Sequence, residues 1–384
     1  MERHPFQDGS DLFAQARAAQ AAAMDQMRGA QARSLDLLGF GTHECAYDVV
    51  GAGPHWRLRR YHGAAAGAPL FLVPAPIKRP YIWDLTPDVS VVRFWLDHGL
   101  SVHLLEWIAP TDADEPAGIE DYARAILAAG GAIRDVRAEG HGNGHGPHEP
   151  DAHGHDAHEP DGAPAPLFLI GHSLGGTLAA IACAMEPDLA RGVVLLGAPL
   201  SFEPGSSAFR DLVVAQHHDT PEDRPVPGSQ LSQGCAMLSP VAFVWARWMD
   251  IALSLTDPTA LNVHLHVTRW ALDEVALPGK LIRQMVDWLY REDRFRLGRL
   301  ALGAHVLGPA DLTTPVLAVI TPADEIGPRA AVEPFFARIS GGDTQILEHP
   351  AEIGVGLQHL AILAGRRAHA QTWPQIAGWM AARR

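Results

Sequence analysis

The chain has 384 residues, 47% hydrophobic and 19% charged, with a formal net charge of -14. So acidic a balance excludes a general nucleic-acid binder, which needs clustered Lys and Arg against phosphate. The apolar share is enough for a large core with an appendage, and Cys45, Cys183 and Cys235 form no CxxC pair, which excludes a disulfide framework or a thiolate zinc site.

The first residues, "MERHPFQDGS", lack the basic-then-apolar layout of a secretory signal. No apolar run reaches the roughly 18 residues of a membrane span, so the expected location is cytoplasmic. Residues 10–38 are rich in Ala, Gln, Met and Leu at helical spacing and predict one amphipathic helix, docked on the body or on a partner. "ECAYDVV", a Gly-Pro turn and "WRLRRYH" predict an antiparallel strand pair. Then short apolar runs alternate with helical stretches: "PLFLVPA" (69–75), "SVHLLEW" (101–107), "PLFLIGH" (166–172), "RGVVLLGAP" (191–199), "PVLAVIT" (315–321) and "TQILEH" (344–349). Continuous apolar strands separated by helices predict an α/β fold, a mostly parallel sheet covered on both faces.

Two segments interrupt this rhythm. Residues 140–165 are poor in apolar side chains and carry six histidines, which predicts a disordered surface insertion. Their spacing repeats no coordination geometry, so no metal is assigned and no cofactor is expected. Residues 201–300 are helical and hold four of the ten tryptophans, Trp245, Trp248, Trp270 and Trp288. A helical cap over the site is expected there, its indoles mainly subdomain core, with one or two lining an acyl-binding cleft. The expected organisation is a helical segment over 1–40, a first core part over 41–200, the cap over 201–300 and a second core part over 301–384.

Within "LFLIGHSLGGTLAAIACAM", Gly171-His172-Ser173-Leu174-Gly175 fits the G-x-S-x-G nucleophile elbow, with the apolar strand before and the small-residue helix after that the motif requires. A serine hydroxyl needs a base to take its proton, and the base needs an orienting acid. In this architecture the order is Ser, then Asp or Glu, then His, on loops at strand ends. "PADEIGP", after "PVLAVIT", offers Asp324 and Glu325; Asp324 is preferred as nearer the strand end and shorter. His359, beyond the last strand, is preferred to His349 on the strand end and to His369 well into the helix. His172 points elsewhere and is read as packing or lining. The oxyanion hole is expected from the Leu174 N–H and a second N–H in "PAPIKRPYIWDL"; with the prolines excluded, Ile77 is chosen over Ala75 and Lys78.

These residues also carry a family likeness. Over most of 60–365 the chain resembles the poly(3-hydroxyalkanoate) synthases, a branch of the α/β-hydrolase superfamily. The likeness rests on "LVPAPIKRPYIWDLTPDVSVVRFWLDHGLSVHLLEWIAPTDADEPAGIEDY", "GHSLGGTLA", "WALDEVALPGKLIRQMVDWLYREDRFRLG" and "ADLTTPVLAVITPADEIGP". It implies the α/β-hydrolase fold, a helical cap, a triad of Ser173, Asp324 and His359, Ile77 as the second oxyanion amide, and a homodimer through the cap. The chain departs from that family where Ser173 replaces its cysteine, Glu325 its His, Ala271 the Asn of Trp-Asn, and Asp293 an Asn.

A thiolate takes an acyl group from a coenzyme A thioester with little free-energy change, so the intermediate stays activated for chain growth. An oxygen ester lies nearer an ester product, and water completes a hydrolytic cycle. Ser173 therefore tilts expectation toward a serine hydrolase for a small-molecule carboxylic ester or thioester, hydroxyalkanoate oligomers included. An acyltransferase using hydroxyacyl-coenzyme A is the alternative. A non-catalytic protein binding polyester granules or a partner is the second.

Overall fold

The computed structural model describes residues 5–63, 67–111, 113–142, 167–216, 220–340 and 342–383; all but the first residues of the His-rich segment 140–165 lie outside them. One eight-stranded sheet organises the chain. Its strands are β1 Tyr47–Gly53, β2 Trp56–Tyr61, β3 Pro69–Val73, β4 Ser101–Trp107, β5 Leu167–His172, β6 Ala190–Leu196, β7 Val316–Ile320 and β8 Thr344–Glu348. They lie in the order β1-β2-β4-β3-β5-β6-β7-β8. Only the pairings made by β2 are antiparallel; from β4 to β8 every neighbour is parallel.

The inner strands β3 and β7 are apolar throughout, and β5 and β6 nearly so, because both their faces are covered. On one face Phe71, Val73, Leu169, Val193 and Ala318 pack under α3 (Ile119–Gly142) and α4 (Leu174–Met185). On the other, Leu70, Leu72, Ile170, Val194 and Val319 meet Val92 and Trp95 of α2 (Val91–Asp97) and Trp373 near the C-terminus. The parallel sheet, its helical layers and the helical insertion between β6 and β7 make the α/β-hydrolase fold that the resemblance implied.

The N-terminal helix α1 (Pro5–Leu37) docks on the insertion. Arg28 pairs with Glu274 at 2.6 Å and Asp36 with Arg269 at 2.7 Å. The insertion itself carries α5 (Ala208–Gln216), α6 (Gly228–Leu238), α7 (Ala246–Ser254) and α8 (Pro258–Ala271). The tryptophan expectation divides here. Trp270 is buried, and Trp288 is half-buried beneath the Arg294 guanidinium. Trp245 and Trp248 are instead 64% and 67% exposed, so they are not core of the subdomain. Trp245 ends a π-helical turn at Val241–Trp245 and Trp248 lies in α7 just after it, and a different face of this segment, through Asp250 and Ser254, is turned inward. Among the described residues no single helix is long and apolar enough to cross a membrane.

Candidate active site

Parallel strands deliver their C-terminal ends to one edge of a sheet, and the loops leaving those ends can converge. Ser173 sits at the end of β5 with φ 55 and ψ -133, a conformation that a non-glycine residue adopts at a cost of about 1–3 kcal/mol. A serine at a helix start ordinarily caps it by accepting a backbone N–H. Ser173 makes no such side-chain bond to α4, so its hydroxyl is free of the helix it begins. Its own N–H donates to the Leu196 oxygen at 2.9 Å, which ties the turn to the end of β6.

The flanking glycines are sterically required. A Cβ on Gly175 would lie 2.5 Å from the Pro74 carbonyl, and one on Gly176 2.5 Å from the Ala198 Cβ. The start of α4 therefore rests directly on the loop that leaves β3 and carries Ile77. Among the described residues neither the Leu174 nor the Ile77 N–H donates to a partner.

His359 and Asp324 come together from the last two strand ends. The His359 Nδ1 lies 2.7 Å from Asp324 Oδ2, and both side chains are buried. Burial alone would push the Asp324 carboxyl up; the His359 imidazole and the N–H groups of Ile326 and Gly327 outweigh it and hold the group below the ordinary carboxylate value. With Nδ1 donating to the carboxylate, Nε2 has its lone pair free, and it is buried with no partner among the described residues. The pair lies beside the elbow. Gly197, next to the Leu196 that binds Ser173, would place a Cβ 3.1 Å from Asp324 Oδ2 and 3.3 Å from the His359 ring.

The alternatives weighed from sequence lie elsewhere. The His349 ring sits between Thr372 Oγ1 at 2.8 Å and Glu352 Oε1 at 3.1 Å. His369 bonds the Leu363 oxygen at 2.9 Å. Glu325 accepts from Ser239 of the insertion at 3.1 Å rather than from an imidazole. His172 is buried and lies against His359, as a packing role requires; burial first, and then the His359 ring, lower its pKa to about 3.

Sequence reasoning did not reach the contacts between the insertion and the Ile77 loop. The Val275 N–H donates to the Ile77 oxygen at 3.0 Å, and the Trp270 indole N–H to the Arg79 oxygen at 2.7 Å. Lys78 Nζ reaches Glu274 Oε1 at 2.9 Å and the Ala271 oxygen at 2.6 Å. Burial pulls the Lys78 pKa down to about 8 against the pull of Glu274. The one legible hint was Ala271-Leu272-Asp273-Glu274, an acidic pair after an apolar helix, with nothing to say what it faced. Separately, a cleft of about 340 Å3 is lined by Trp56, Trp107, Tyr122 and Ala125; Ser173, Asp324 and His359 do not border it.

No family model matches the chain. It is similar to the poly(3-hydroxyalkanoate) polymerase subunit PhaC of Haloferax mediterranei, at 24% identity over 82% of this chain and 59% of that protein. It is also similar to the subunit of the same name from Allochromatium vinosum, at 25% identity over 85% of this chain and 84% of that one. The chain thus spans about three fifths of the length of the Haloferax protein and most of the Allochromatium one. Among solved structures it is similar to a monoacylglycerol lipase of Paleococcus ferrophilus, at 16% identity and a TM-score of 0.46, over 86% of this chain and 99% of that one. By its own sheet topology the chain has the α/β-hydrolase fold, and in sequence it resembles the poly(3-hydroxyalkanoate) polymerases.

Proposed function

We propose that the protein is a serine hydrolase that cleaves a carboxylic ester or thioester, hydroxyalkanoate oligomers included, through an acyl-enzyme on Ser173. The observation that carries this reading is the buried His359–Asp324 pair, 2.7 Å apart, with a free Nε2 beside an elbow whose serine hydroxyl does not cap its helix. His359 Nε2 takes the Ser173 proton as Oγ attacks the carbonyl carbon, and Asp324 holds the resulting imidazolium. The Leu174 and Ile77 N–H groups receive the oxyanion. His359 then protonates the departing alkoxide or thiolate, and finally draws a proton from the water that releases the acyl group.

Ser173→Ala is expected to lower kcat toward p-nitrophenyl esters by on the order of 10⁶. A fluorophosphonate is expected to label Ser173 in the folded wild type. Full activity in the alanine variant would sink the assignment.

The resemblance to poly(3-hydroxyalkanoate) polymerases supports a second reading, acyl transfer from a hydroxyacyl-coenzyme A to a hydroxyl terminus. Incubation with 3-hydroxybutyryl-coenzyme A separates the two. Free hydroxy acid supports hydrolysis, and oligomer released alongside coenzyme A supports transfer.

A further inference from the structure

We propose that Asp250, in the helical insertion, is a positioning residue for His359. The proposal rests on the reading of His359 as the base. Asp250 lies on α7 and is buried. Its carboxylate does not merely pair with a neighbouring helix, although Oδ2 does lie 2.6 Å from His264 Nδ1 on α8. It also receives two main-chain N–H groups from outside the insertion: Gly354 on Oδ1 at 2.9 Å and Gly356 on Oδ2 at 2.8 Å.

Those two glycines shape the turn that leads into His359. Both occupy positive φ, 90° at Gly354 and 70° at Gly356, a region that favours glycine. Between them Val355 is fully buried in the core, so the turn is pinned from both sides. A Cβ on Gly354 would come 2.6 Å from the Ala260 backbone of α8, so turn and insertion touch main chain to main chain. From Gly356 the path to the imidazole is short and rigid. Gln358 closes back on Glu352 through two hydrogen bonds of 3.0 and 2.7 Å, and His359 follows inside a 3-10 turn.

A carboxylate that accepts both N–H groups therefore sets where this turn sits, and with it where the His359 ring sits. Asparagine at position 250 keeps the size but offers one acceptor oxygen and a donating NH2 group, so one of the three donors loses its partner and the turn shifts. A displacement of about 1 Å in a catalytic group can cost on the order of 10²-fold in rate.

The test uses the full chain carrying Asp250→Asn. The far-downfield proton NMR signal of the His359 Nδ1–H on Asp324 reads the ring's register without substrate. In the folded variant this signal is expected to broaden or vanish. Its kcat toward p-nitrophenyl butyrate is expected to fall on the order of 10²-fold, with KM changed by less than about twofold, as befits a loss felt in the transition state. A folded Asp250→Asn with both the signal and kcat unchanged overturns the proposal. Where Asp250→Asn does not fold, Gly356→Ala replaces it: the carboxylate stays, and the turn is strained by a Cβ 3.3 Å from Val267 Cγ1 at φ 70. An unmoved signal there overturns the proposal equally. A wild-type protein that shows the signal and hydrolyses no ester removes the hydrolase reading alone; the positioning role is then judged on the signal. Absence of the signal from the wild type removes both.

Discussion

The His172 Nε2–H donates to the His359 carbonyl oxygen at 3.0 Å, and the two rings lie with centroids 4.7 Å apart. The residue beside the elbow serine thus holds the backbone of the residue read as its base. Replacing His172 by Leu leaves that buried carbonyl without its donor, a loss of about 1–3 kcal/mol. The expected result is a lower melting temperature together with a lower kcat at nearly constant KM. His172→Gln, which can still donate, is expected to recover part of both. Unfolding curves and steady-state kinetics on the two variants check this.

The same residue makes stability depend on pH. Burial holds His172 at about 3 and His103 at about 4, while both titrate near 6.5 in the unfolded chain. Between those values the unfolded state binds protons that the native state refuses, so stability falls as pH drops below 6.5. The depressed Asp324 carboxyl adds a loss of the same sign at more acid pH. Urea midpoints are expected to decline steadily from pH 7 toward pH 4. His172→Gln should make that decline shallower.

Asp324 and Glu325 are adjacent carboxylates with different work. Asp324→Asn removes the group that fixes the His359 tautomer and is expected to lower kcat by on the order of 10⁴. Glu325→Gln removes only one acceptor of the bond from Ser239, and its effect on kcat is expected to be a small fraction of that. An equal loss in both variants would contradict the division.

Gly197 offers a steric test. At φ 53 it lies in the left-handed region, and an added Cβ would press on Asp324 Oδ2 at 3.1 Å and on the His359 ring at 3.3 Å. Gly197→Ala is expected to destabilise the protein by about 1–2 kcal/mol from backbone strain. It should also lower esterase activity far more than that modest loss of stability would, since the methyl displaces the pair itself. Circular dichroism at the assay temperature separates a folded, inactive variant from an unfolded one.

Much of the frame was readable from residues alone. Strands buried on both faces are apolar at nearly every position, so runs such as Leu70–Val73 and Leu167–Ile170 stand out against the helices between them. The elbow announced itself because the motif has glycine two residues either side of the strained corner, Gly171 and Gly175. Asp324 and His359 could be named together because chain order and strand ends narrow the choice, and the structure pairs them at 2.7 Å. Asp250 could not be named, since its partners Gly354 and Gly356 lie a hundred residues away and nothing local marks a buried carboxylate. Trp245 and Trp248 misled for a related reason: residue type records a preference for burial, while the face of this segment that turns inward is the one carrying Asp250 and Ser254.

Placing a long insertion between β6 and β7 has a bearing on how the protein is made. Ser173 leaves the ribosome well before Asp324 and His359, with the whole of α5 to α8 still to come between them. On the proposed reading, a growing chain can form the corner that carries the alcohol, yet it has no proton acceptor to arm it until β7 closes against β6 across that intervening length and β8, whose end leads to His359, pairs with β7. On that reading reactivity is deferred to the last stage of assembly, so a half-built molecule does not acylate itself on whatever metabolite is at hand.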